Sequence, residues 1–256
     1  MESNRKKRIL FVQGFGTRKA NIYRHVRYYF LLRQDKYEVE WFDCADDERV
    51  ESVLSRCVKR IIEGQYDQLI GHSAGGALLY KTYTELADNT GRIIGTDVQL
   101  PPNPILCMPF LQANPSPVSS TIISILRLLP DDVYYNVYLP LASIANKPVN
   151  MENILNSTIQ PFVKIHQLMD IGKWQSRETV DPRIIITNLT RINARTIVAK
   201  DDLSSVFDSD LMSWFGDDAN ENATIIDGGH EEFNATHDIN TPFFHAFEKY
   251  LAHLTK

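Results

Sequence analysis

The pentapeptide Gly71-His72-Ser73-Ala74-Gly75 sets a serine between two glycines, each two residues away. That spacing suits a nucleophile. A hydroxyl exposed on a sharp strand-to-helix turn needs a strained backbone, and small residues two positions to either side let strand and helix approach closely. Gly75, Gly76 and Ala77 would keep the first helical turn slim. Residues 68–70 (QLI) read as a short strand before the motif and residues 77–86 as a helix after it, which is the context such a turn requires. A serine hydroxyl is a weak nucleophile alone. It needs a base to take its proton, a group to orient that base, and donors for the charge that develops on an attacked carbonyl. The plain alternative is a glycine-rich turn without chemistry.

The sequence offers little support for other chemistries. Cys44, Cys57 and Cys107 are odd in number and widely spaced, with no CxxC, so neither a zinc site nor a disulfide framework is expected. There is no HExxH and no His/Cys cluster, so neither a metal nor a cofactor is expected. The formal net charge of -5 argues against a nucleic-acid binder. The basic run Arg5-Lys6-Lys7-Arg8 reads as a solubilising tail before the first strand. No stretch reaches the length of a membrane span and no secretory leader is evident, so a cytoplasmic, reducing setting is the expectation. Apolar residues at 43% and charged residues at 23% over 256 residues fit one globular domain.

The elements that would position Ser73 alternate along the chain. Residues 8–12 (RILFV) form a continuous apolar run ending in Gln13-Gly14-Phe15-Gly16, a strand running into a glycine turn. Residues 20–32 carry Ile22, Val26, Tyr29 and Phe30 at helical spacing, residues 37–42 (YEVEWF) read as a strand, and residues 49–62 as an amphipathic helix. Residues 105–108, 196–199 and 223–226 are further strands, and residues 242–254 a final helix. Strands alternating with helices predict a mainly parallel central sheet with helices on both faces, an α/β architecture whose functional groups gather at the carboxyl ends of the strands. The stretch 111–191 breaks the rhythm and shows few strand signals until Ile184-Ile185-Ile186. It is expected to be a helical cap inserted in a single domain spanning 1–256; the alternative is that it supplies ordinary outer helices.

With its strand and helix context, this motif resembles the nucleophile elbow of the α/β-hydrolase superfamily, and the likeness in element order covers nearly the whole chain. The resemblance implies that fold, with Ser73 as nucleophile. It implies an oxyanion loop at Gln13-Gly14-Phe15-Gly16, where Gln13 departs from the usual histidine. The backbone N–H groups of Phe15 and Ala74 would then face the oxyanion. It implies an acid after the strand at 196–199, where Asp202 is preferred to Asp201 and to the more distant Asp208 and Asp210. It implies a base after the last strand, where Asp227-Gly228-Gly229-His230 makes His230 the choice and His237 its rival. His25, His166, His245 and His253 fall on expected helices. Gly14, His72 and Met108 are candidates for substrate contact, with His72 more suited to packing than to reaction.

The order Ser, Asp, His implies a serine hydrolase working through an acyl-enzyme. The preferred substrate is a carboxylic ester of a small or medium acyl group or an acyl lipid, as for an esterase or lipase. The same triad can serve amides, thioesters and lactones. Peripheral membrane contact through the cap, and the oligomeric state, stay open. The alternative class is a ligand-binding receptor or scaffold that kept the fold and lost turnover. Gln13 and the polar turn at 199–205 give it weight.

Overall fold

A strand buried on both faces needs helices over both faces, and here the helices lie between the strands in sequence. The computed structural model describes residues 5–14, 23–43, 48–109, 111, 182–200, 209–217, 220–229 and 239–255. Among these, the strands are β1 (Lys7–Val12), β2 (Tyr37–Phe42), β3 (Gln68–His72), β4 (Ile105–Cys107), β5 (Arg195–Ala199) and β6 (Ala223–Ile226). They form one sheet of order β2-β1-β3-β4-β5-β6, and every pairing is parallel. The described helices are α1 (Arg24–Leu31), α2 (Val50–Gly64), α3 (Ala74–Glu85), α4 (Pro182–Arg191), α5 (Ser209–Phe215) and α6 (Pro242–Leu251), followed by a 3₁₀ turn over Ala252–Thr255.

The strand order decides which helix covers which face. Parallel crossovers are right-handed, so crossovers stepping in opposite directions place their helices on opposite faces. The step from β1 to β2 runs one way across the sheet, and the steps from β2 to β3 and on to β6 run the other way. Accordingly α1 lies with α6 over Ile9, Phe11, Ile70, Ile105 and Ile197. Helices α2, α3, α4 and α5 lie over Leu10, Val12, Leu69, Leu106 and Val198. Alternate residues of each strand thus feed two separate cores. The α1–α6 layer is largely aromatic: Tyr29 stacks on Phe244 at 5.4 Å and Phe30 meets Phe247 edge-on at 5.7 Å. The α6 start is fixed by Thr241, whose hydroxyl accepts from the Phe244 N–H, and by Pro242 in the first turn.

Two elements differ from the sequence reading. Ile184-Ile185-Ile186, read as a strand signal, lies within α4. Ile184 is exposed while Ile185 and Leu189, one turn apart, are buried in the core. A run of β-branched residues raised strand propensity locally, and tertiary burial of one face in four-residue steps overrode it. Helix α3 begins at Ala74, three residues earlier than its apolar pattern announced, because Gly75 and Gly76 carry no side chain to show the periodicity. Of the stretch 111–191 expected as a cap, residues 112–181 lie outside the described residues.

Candidate active site

Because the winding order switches between the neighbouring parallel strands β1 and β3, their carboxyl ends form the topological switch point, the place where open α/β sheets bind ligands. Val12 of β1 pairs with Gly71 of β3 across this junction. Two residues further along each strand come Gly14 and Ser73. Sheet order alone therefore sets a glycine loop beside the candidate nucleophile, although 59 residues separate them in sequence.

Ser73 has φ 54° and ψ −123°, a left-handed conformation that L-residues avoid. It serves as the N-cap of α3, and its carbonyl accepts the Ala77 N–H at 3.2 Å. Its own N–H donates to the Cys107 carbonyl at 3.0 Å, so the turn is tied to β4. The flanking glycines are required by contact. A Cβ on Gly71 would lie 2.6 Å from the Gly75 carbonyl oxygen and 2.7 Å from the Gly76 Cα. A Cβ on Gly75 would lie 2.6 Å from the Gln13 carbonyl oxygen, and closer still to that of Val12. The first turn of α3 thus sits directly on the end of β1. The first N–H groups of a helix have no intrahelical acceptor, and with the helix dipole they favour negative charge beside them. Ala74, at the first position of α3, contributes one of these N–H groups.

Gly14 reaches the serine itself. A Cβ there would lie 3.1 Å from the Ser73 Cβ and 3.5 Å from its Oγ. The loop that carries Gly14 is held by backbone and side chains together. The Gln13 N–H donates to the Phe42 carbonyl at 3.0 Å, extending the β1–β2 ladder, and the Gln13 amide donates to the Asp43 carboxylate. The Gly14 N–H donates to the Tyr23 hydroxyl at 2.8 Å, and that hydroxyl lies 2.8 Å from His72 Nδ1. Tyr23 and His72 are both buried. The Tyr23 oxygen thus accepts from Gly14 and shares a second hydrogen bond with His72 Nδ1, whose direction follows the imidazole tautomer.

The other sequence-selected residues divide by position. Met108 follows β4 with φ 42°, donates its N–H to the Ile197 carbonyl at 2.7 Å, and has its side chain fully buried in the α1–α6 core. Burial pushes the neighbouring Cys107 thiol well above its ordinary pKa. Asp210 is exposed on α5. His25 is buried on α1, His245 pairs with Asn240, and His253 lies in the 3₁₀ turn. Phe15, Asp201, Asp202, Asp208, His166, His230 and His237 lie outside the described residues. The strands that lead to the acid and base candidates are described. Ala199 of β5 pairs with Ile226 of β6, and the Lys200 N–H donates to the Ile226 carbonyl at 2.8 Å. The carboxyl end of β5 precedes Asp201 and Asp202. Gly228, with φ 114°, turns the chain after β6, just ahead of His230. The strands β1, β3, β5 and β6 run parallel, so their carboxyl ends lie at the same end of the sheet.

Sequence reasoning missed Tyr23 and Asp43. Asp43 was within reach of the strand-end rule, since it follows β2 directly. Tyr23 carried no signal, because its partners are Gly14 and His72, 9 and 49 residues away in sequence. Among the described residues no group of three or more His, Cys, Asp or Glu could hold a metal ion. No described helix is long and apolar enough to cross a membrane.

The architecture has relatives among solved structures. A protein from Acinetobacter baumannii AYE assigned as a lipase superimposes with a TM-score of 0.60 at 13% identity, covering 99% of this chain and 86% of that one. A hydrolase from Pseudomonas aeruginosa PA01 does so with 0.58 at 14% identity, over 98% and 90% of the two chains. A protein assigned to the α/β-hydrolase family, from Desulfitobacterium hafniense, gives 0.51 at 12% identity, over 100% and 98%. This chain therefore has the α/β-hydrolase fold. No family model matches the sequence, and no curated protein matches it.

Proposed function

We propose that the chain is a serine hydrolase that cleaves carboxylic esters, of small to medium acyl chains or acyl lipids, through an acyl-enzyme on Ser73. The observation that carries this reading is the backbone of Ser73. A non-glycine residue at φ 54° and ψ −123° is strained, and it is held so by two glycines packed against backbone, with its side chain beside Gly14 at the switch of strand order. Such strain persists where the surrounding structure over-determines it, and it exposes the hydroxyl at the edge of the sheet. The likeness in fold to a protein assigned as a lipase supports the same class.

In this mechanism His230 takes the Ser73 proton while Oγ attacks the ester carbonyl. Asp202 orients His230 and stabilises its charged form. The tetrahedral oxyanion receives hydrogen bonds from the backbone N–H groups of Ala74 and Phe15. Each such donor is worth about 3–4 kcal/mol of transition-state stabilisation. Collapse expels the alcohol, which takes its proton from His230. Water, deprotonated by His230, then attacks the acyl carbonyl and frees Ser73. Gly14, His72 and Met108 remain the proposed substrate-side positions, with His72 acting through its packing.

The test is labelling by a fluorophosphonate probe and hydrolysis of p-nitrophenyl esters of graded chain length, on wild type and Ser73→Ala. Labelling and turnover in wild type, both lost in Ser73→Ala, are expected, and the chain-length optimum then measures the pocket. A wild type that neither labels nor turns over would turn the assignment toward a ligand-binding protein on this fold.

A further inference from the structure

The geometry points to Tyr23 as a positioning residue that holds the glycine loop after β1 at a fixed distance from the Ser73 turn. This inference rests on the serine-hydrolase reading and names a residue that its mechanism does not use. Tyr23 precedes α1, and its ring is fully buried, edge-on to Phe11 at 5.3 Å and to His72 at 5.5 Å. Three aromatic surfaces, with Trp41 the third at 6.1 Å, leave the ring little freedom. Its hydroxyl sits where two chain segments meet. It accepts the Gly14 N–H from the loop after β1, and it contacts Nδ1 of His72, the residue that immediately precedes Ser73. One atom therefore spans the two sides of the site.

The span matters because these two sides must keep register. On one side Gly14 lies against the Ser73 side chain; on the other, the N–H groups that open α3 follow Ser73. The hydrogen bond also commits the Gly14 N–H to Tyr23, which removes it from the donors that could face a substrate oxygen. Displacements on the scale of 1 Å in such constellations lower rates by about two orders of magnitude. Losing the two buried hydrogen bonds of the hydroxyl while retaining the ring should shift the loop by less than that.

Tyr23→Phe removes the oxygen and keeps the aromatic packing. Measured with p-nitrophenyl esters well below the unfolding temperature, it is expected to lower kcat about tenfold with KM within about twofold of wild type, the split left by an interaction that matters only in the transition state. A second readout separates positioning from general loosening. A trifluoromethyl ketone forms a tetrahedral adduct with an oxyanion, and its Ki should weaken by the same factor as kcat; the Ki of the matching methyl ketone should not move. His72→Phe, and the double variant Tyr23→Phe/His72→Phe, complete a cycle in which the two losses should be strongly non-additive. A Tyr23→Phe variant with wild-type kcat, or one whose KM and methyl-ketone affinity fall in step with kcat, overturns the proposal. Ser73→Ala is run beside it. A Ser73-dependent rate untouched by Tyr23→Phe sinks the Tyr23 role alone, whereas equal rates for wild type and Ser73→Ala sink the hydrolase reading and this inference with it.

Discussion

Replacing Gly75 with alanine should do the opposite of what a glycine-to-alanine change does in an ordinary helix. In a helix interior, alanine is favoured over glycine by about 1 kcal/mol. Here the new methyl would come 2.6 Å from the Gln13 carbonyl oxygen, where ordinary contact begins at 3.4 Å, and closer still to Val12. Both neighbours are backbone, and Val12 is locked on two sides by pairing with Phe42 and Gly71. No side chain can swing away, so the start of α3 and the end of β1 must part by about 1 Å. Over-packing of this kind typically costs about 1–3 kcal/mol. Loss of the close helix–strand contact adds to it, for a net destabilisation of roughly 2–4 kcal/mol after the propensity gain. For a chain of this size that lowers Tm by roughly 5–15 °C. The same displacement carries Ser73 and the α3 N–H groups away from Gly14, so fluorophosphonate labelling should slow by about tenfold or more. Gly76→Ala is the control, because its nearest contacts are longer, at 3.0 and 3.1 Å to Pro109. It should cost about 1 kcal/mol or less. Urea unfolding followed by tryptophan fluorescence, with labelling rates on the same samples, measures both effects. A Gly75→Ala protein as stable as wild type, or more so, would refute the packing of α3 on β1 described here.

Two further expectations follow. Ser73→Gly relieves the left-handed strain of about 1–3 kcal/mol and pays back part of it in glycine's chain entropy, so it should be roughly 1 kcal/mol more stable than Ser73→Ala while equally inactive. Calorimetry that finds the two equal would remove the strain argument. His253 is half-buried between the Arg195 guanidinium and the Tyr250 carbonyl, and burial first, then Arg195, holds its pKa below the ordinary histidine value despite the hydrogen bond to Tyr250. The native state therefore takes up its proton less readily than the unfolded chain. Its contribution to stability is intact above the unfolded pKa of about 6.5 and is lost as pH falls from there through the folded value. The stability difference between wild type and His253→Gln should shrink between neutral and mildly acid pH, and a constant difference would contradict this.

Much of the framework could be read from sequence. Strands β2 and β6 fall on the expected residues, and β1, β3, β4 and β5 within two residues of them: the inner strands declare themselves as short apolar runs, and β2 by the aromatic and β-branched residues of its alternating YEVEWF. The Gly71–Gly75 spacing likewise declared a strained strand-to-helix turn, since only glycine fits where backbone meets backbone. What periodicity could not show was where α3 starts, or that Ile184-Ile185-Ile186 is helical, because glycines carry no pattern and three isoleucines fit either period.

The site itself divides along the same line. The residue types and their order along the chain marked Ser73, and they marked the turns after β5 and β6 as places to look. Only the tertiary structure decided that β1 lies between β2 and β3, which brings Gly14 against Ser73. Only it joined Tyr23 to His72 and Asp43 to Gln13. Those are contacts across strand order and packing, and a hydrogen bond between residues far apart in sequence leaves no spacing to read. Local chemistry is written in neighbouring residues; the register of distant loops is set by how the sheet is wound.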